Sequence, residues 1–145
     1  SGSYIADNTI TGTGTRAISF YYAQNVIIEN NFIFPVAGYA IFNSSSSSDN
    51  NNQIINNHIE YQSSSNQDVI RAYFTTVKGN YIKSSQADPT IYGYGNDITE
   101  NEIYINGDYY DIYIINNRIL STNSLFLLKM CWLNSIVDLN IFENY

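Results

Sequence analysis

The segment Ile28-Glu29-Asn30-Asn31-Phe32-Ile33 follows the pattern aliphatic-x-x-Asn-x-hydrophobic, and that pattern returns six more times. It recurs at Ile5 to Ile10, Ile54 to Ile59, Val77 to Ile82, Ile98 to Ile103, Ile114 to Ile119 and Val137 to Phe142. The asparagines at its centre are Asn8, Asn31, Asn57, Asn80, Asn101, Asn117 and Asn140, separated by 23, 26, 23, 21, 16 and 23 residues. A period of this length marks a solenoid. The flanks are enriched in β-branched residues, lie five residues apart and lack a helical i, i+3, i+4, i+7 stripe, so each unit reads as two short strands joined by a tight corner.

Asparagine suits such a corner because it tolerates the left-handed backbone region and bonds to nearby backbone groups. Stacked coils bring the amides into register, and each can donate to the side-chain oxygen one coil away, so a buried polar column satisfies itself. With 21 asparagines in 145 residues single matches arise by chance, but seven that also carry both hydrophobic flanks do not.

The length fits one domain, with residues 1–3 read as a cloning scar or unordered terminus and residues 4–145 as the solenoid. The 22 isoleucines and 44% hydrophobic content suffice for an elongated core. A net charge of −7 with six basic residues argues against a nucleic-acid footprint or an anionic membrane surface. The single Cys131 excludes an intrachain disulfide framework, and one His with one Cys gives no metal site. No cofactor is expected.

Further strands follow the corners: Thr15 to Tyr22, with Ile18 and Phe20 inward, then Ala40 to Phe42, Val69 to Arg71, Thr90 to Tyr92 and Phe126 to Leu128. Each coil then has about three strands. The polar runs Asn43 to Asn52 and Gln62 to Asp68 read as mobile external loops, and Asn43-Ser44-Ser45 matches the glycosylation acceptor pattern. The 16-residue coil from Asn101 to Asn117 is short for three strands, so either Gly107-Asp108 makes a tight turn or one asparagine is out of register. Leu125 to Leu139 is the most apolar stretch, and residues 125–145 read as an end cap or as a surface covered by a second copy or an adjoining domain.

The repeated Ile-x-x-Asn-x-Ile blocks resemble the right-handed parallel β-helix repeats of pectate lyase-like, NosD-like and viral tailspike-like proteins. The resemblance covers residues 4 to 142 and implies an all-β, single-stranded right-handed parallel β-helix of six to seven coils. It also implies an external groove that handles polysaccharide. The catalytic blocks of the polygalacturonase-like enzymes (Asn-Thr-Asp, Asp-Asp, Gly-His-Gly, Arg-Ile-Lys) are absent, and the acids are too scattered for the calcium cluster of the lyases.

One position after the corner stand Thr9, Phe32, His58, Tyr81, Glu102, Arg118 and Ile141, so Glu102 neighbours Arg118 and, two positions further on, Glu60 faces Lys83. These pairs read as surface ladder salt bridges of about 0.2 to 1 kcal/mol. His58 reads as a stacking partner of Phe32 and Tyr81. Fourteen tyrosines are unusual; on the strand after each corner the outward positions hold Tyr21, Phe42, Arg71, Tyr73, Tyr92 and Tyr94. These residues suit sugar rings or a subunit interface, and tyrosine also favours outward strand positions on its own account.

The expected function is therefore non-enzymatic recognition or attachment through carbohydrate, on an extracellular, cell-surface or virion protein. A polysaccharide lyase or glycoside hydrolase is the enzymatic alternative, and a structural shaft or spacer the third. The expected partner is a polysaccharide or cell-surface glycan, with no nucleic acid and no membrane insertion; a homo-oligomer or adjoining domain is the other partner class.

Overall fold

The computed structural model describes residues 2–12, 14–34, 37–44, 50–62, 67–84, 91–93, 96–105 and 118–121, with the backbone alone at 103–105 and 118–121. In chain order the strands are β1 (Ser3–Ala6), β2 (Thr9–Thr11), β3 (Arg16–Phe20), β4 (Val26–Glu29), β5 (Phe32–Phe34), β6 (Tyr39–Asn43), β7 (Asn52–Ile55) and β8 (His58–Tyr61). They continue as β9 (Ile70–Arg71), β10 (Thr75–Lys78), β11 (Tyr81–Ser84), β12 (Ile91–Tyr92), β13 (Asp97–Thr99), β14 (Glu102–Ile105) and β15 (Arg118–Ser121). No helix occurs among the described residues.

The strands assemble into three sheets: A, in order β1-β4-β7-β10-β13; B, β15-β14-β11-β8-β5-β2; and C, β12-β9-β6-β3. The pairings are parallel, and each sheet takes every third strand through most of the chain, so the fold is an all-β solenoid of stacked parallel sheets. The described strands number five, six and four in the three sheets.

Register places the aliphatic residues in three interior columns. In sheet A these are Ile5, Ile28, Ile54, Val77 and Ile98; in sheet B Ile10, Ile33, Ile59 and Ile82; in sheet C Ile18, Ile41, Ile70 and Ile91. All but Ile5 and Ile10 belong to the buried core. A one-residue slip would turn a whole column out to solvent, so the columns fix the register.

The A-to-B corner is held by amides. Asn8, Asn31, Asn57 and Asn80 donate from Nδ2 to Oδ1 of Asn31, Asn57, Asn80 and Asn101 at 3.1, 3.0, 3.0 and 2.9 Å. Each accepting oxygen also takes the backbone N–H of the donor residue. Asn31, Asn57, Asn80 and Asn101 are buried, whereas Asn8 is exposed. Asn117 and Asn140 lie outside the described residues.

The left-handed conformation does not fall on these asparagines. It falls on the residue before each: Asp7 (φ 56°), Asn30 (53°), Asn56 (53°), Gly79 (65°) and Glu100 (55°). The column amide reaches back over that residue to the carbonyl two positions earlier, as Asn57 does to Ile55 at 3.0 Å, and so holds the bend. At position 79 glycine takes this conformation without strain, and a Cβ there would meet Oδ1 of Asn56, which would have to move aside.

A second polar corner, between sheets C and A, had no counterpart in the repeat pattern. Asn52 Oδ1 accepts from Val26 N–H at 2.9 Å, Asn96 Oδ1 from Thr75 N–H at 3.1 Å, and Asn43 Nδ2 donates to Thr75 Oγ1 at 3.0 Å. Again the preceding residues Asn25, Asn51 and Phe74 have positive φ.

Three readings need correction. Asn43 is the last residue of β6 and Asn52 the first of β7; they and Asn50 are buried, so the ends of that polar run belong to the interior. Asp68, at the end of the other run, is buried too. The strand read as Thr15 to Tyr22 is Arg16–Phe20, because Tyr22 turns away at φ 51°. Glu102 and Arg118 pair in register, so the short coil keeps its alignment in sheet B; residues 125–145 lie outside the described ones.

Candidate functional site: the outward face of sheet C

On sheet C the pairing of β3, β6, β9 and β12 aligns Ser19 with Phe42, Phe42 with Arg71, and Arg71 with Tyr92. These side chains point away from the isoleucine column. Tyr21 packs beside Phe42 with ring centroids 5.7 Å apart. Four expected residues, Tyr21, Phe42, Arg71 and Tyr92, therefore share one face. Tyr73 is half-buried, and its carbonyl accepts from Asn43 and Thr75 at the second corner. Tyr94 lies outside the described residues.

Two residues complete the face that sequence reasoning missed. The Arg16 guanidinium carbon is 4.1 Å from the Phe42 centroid, 5.6 Å from that of Tyr21 and 5.8 Å from that of Tyr39. Tyr39 meets Phe42 edge-on at 4.9 Å. Arg71 sits between Tyr39 and Tyr92, at 4.9 and 4.8 Å. The result is an unbroken series of two guanidinium groups and four rings, its guanidinium–ring contacts of the cation–π type and Phe42 meeting Tyr21 and Tyr39 ring to ring. Tyr21 and Tyr92, at its two ends, are 50% and 43% exposed.

The two arginines differ electrostatically. Arg71 Nε donates to Asp68 Oδ2 at 2.6 Å, and that carboxylate is 3% exposed. The pKa of Arg71 is raised: desolvation, the largest single influence, acts downward, but the hydrogen bond and charge of Asp68 outweigh it. Arg16 has no carboxylate partner among the described residues. Among the described residues the face therefore carries one compensated and one uncompensated cation, in a chain of net charge −7.

On sheet B the expected column is present: Phe32, His58 and Tyr81 stack at 4.8 and 4.5 Å, both pairs inclined by 28°. Glu60 faces Lys83 in register, yet its carboxylate lies 3.1 Å from His58 Nε2. The glycosylation pattern at Asn43 falls on a side chain whose amide is buried and donates to the Tyr73 carbonyl and Thr75 Oγ1, out of reach of modification in the folded protein. No group of three or more His, Cys, Asp or Glu side chains arranged to hold a metal occurs among the described residues.

Comparison with protein-family models, with curated proteins and with solved structures gives no match for this chain.

Proposed function

We propose that the chain is a non-enzymatic recognition domain that binds carbohydrate on the outward face of sheet C. The observation that carries this reading is the contiguous series Tyr21, Arg16, Phe42, Tyr39, Arg71 and Tyr92. Sugar rings stack their C–H faces on aromatic rings, while hydroxyls take hydrogen bonds from groups beside them. Parallel strands lie ~4.8 Å apart, so three steps from β3 to β12 give a platform of ~14 Å, the length of a short oligosaccharide.

Binding without turnover is the sense of this face. Glycoside hydrolysis normally needs two carboxylates flanking the scissile bond, and Asp68, the carboxylate bound to Arg71 of this face, is buried. The same reading takes the solenoid as a right-handed β-helix of six to seven coils. An extracellular, cell-surface or virion setting goes with it.

A glycan array probed with the purified domain tests the proposal. The wild-type domain is expected to bind, and Tyr21→Ala and Tyr92→Ala to lose binding while keeping the melting temperature within a few degrees. No glycan bound by the wild type, or binding indifferent to both changes, sinks it. Bond cleavage that disappears in these variants would establish the enzymatic alternative.

A further inference from the structure

Granting the carbohydrate reading, on which this inference rests, we infer that the ligand of the sheet C face is an acidic sugar and that Arg16 holds its carboxylate. The premise is the contrast between the two arginines. Arg71 is already bound to a carboxylate of the protein, at 2.6 Å and largely out of water. Arg16 stands in the same patch, exposed, with rings around it and no acid among the described residues to neutralise it.

An arginine is placed this way at a cost in side-chain freedom, since packing on a ring gives up much of its rotamer entropy. A guanidinium lying over a ring offers its N–H donors at the edge, in the fork that matches a carboxylate. Phe42 holds the guanidinium carbon of Arg16 4.1 Å from its ring centroid, and Tyr21 stands beside both. A sugar ring on Tyr21 therefore comes within reach of the Arg16 fork. The two guanidinium carbons lie 5.8 and 4.9 Å from one shared ring, that of Tyr39, so each feels the other's charge and the Asp68 carboxylate offsets one of the two. A neutral sugar leaves the Arg16 charge as it was; a carboxylate removes the imbalance.

The test uses matched pairs on one array: neutral oligosaccharides and the same oligosaccharides carrying a 6-carboxylate in place of the hydroxymethyl group, with poly-glutamate as a non-sugar polyanion. The carboxylated members are expected to bind about tenfold to a hundredfold more tightly than their neutral counterparts, with the preference shrinking as salt is raised. Arg16→Gln should reduce the carboxylated members to the affinity of the neutral ones, and Arg16→Lys should restore part of the preference with its charge but without its fork. Melting curves of both variants show that the fold is kept. Equal binding of the pairs overturns the inference and leaves carbohydrate binding standing. Binding of poly-glutamate as strong as that of the carboxylated sugars also overturns it, since charge alone would then suffice. If no sugar binds, the carbohydrate reading falls and this inference with it.

Discussion

The outward faces of sheets B and C are built by the same device, a side chain repeated at one register position in successive coils, and they end in opposite states. On sheet B, His58 is sandwiched between Phe32 and Tyr81, ring on ring, so the inner faces of the column are already occupied. On sheet C the rings are tilted against one another by 48° and 63° and separated by guanidinium groups, and the end rings Tyr21 and Tyr92 stay open. Stacking like upon like spends aromatic surface inside the protein. Interleaving it with cations leaves both surface and charge for something else.

The comparison can be broken most forcefully at Arg71. If that side chain is chiefly the support of a buried carboxylate, Arg71→Ala should cost about 3 kcal/mol in chemical denaturation, the low end for breaking a buried pair because Arg71 keeps 30% exposure. A loss below about 1 kcal/mol would make Arg71 as free as Arg16 and erase the distinction drawn within sheet C.

Both faces depend on the same coil spacing, so Asn80→Ala should weaken them together. It takes away the oxygen that accepts both the N–H and the Nδ2 of Asn57, at about 1 to 3 kcal/mol for buried groups left unsatisfied. Unchanged stability would mean that the amides only decorate the corner.

On sheet B, His58→Ala removes two stacking contacts and should cost about 1 kcal/mol without changing carbohydrate binding. A loss of binding would put the working surface on the wrong sheet. The smallest effect is expected from Arg16→Ala, within about 0.5 kcal/mol of wild type in stability, as for a surface side chain outside any buried network. A larger loss would show that Arg16 holds the fold.

The asparagine spacing made the A-to-B corner legible because that corner uses one residue type at one position in successive coils. The left-handed position was misassigned because its occupants, Asp7, Asn30, Asn56, Gly79 and Glu100, share a backbone angle and little else. The second corner stayed hidden for the same reason: its register position holds Val26, Asn52, Thr75 and Asn96 in turn. Tyr21, Phe42, Arg71 and Tyr92 followed from strict alternation. Tyr39 and Arg16 did not, because alternation fails just there. Ala40 and Ile41 are both fully buried, and both their N–H groups donate to the Val69 carbonyl, so the chain kinks and Tyr39 joins Phe42. Arg16 pairs in register with Tyr39 and shares its displacement.

The amide column also has a direction. In each amide-to-amide bond among the described residues the earlier coil gives Nδ2 and the later coil Oδ1, from Asn8 to Asn31 and on to Asn101, while from Asn31 onward Nδ2 also donates to a backbone carbonyl of the coil before. At Asn8 the series presents a side-chain oxygen, and a coil stacked against it continues the series only by bringing N–H donors.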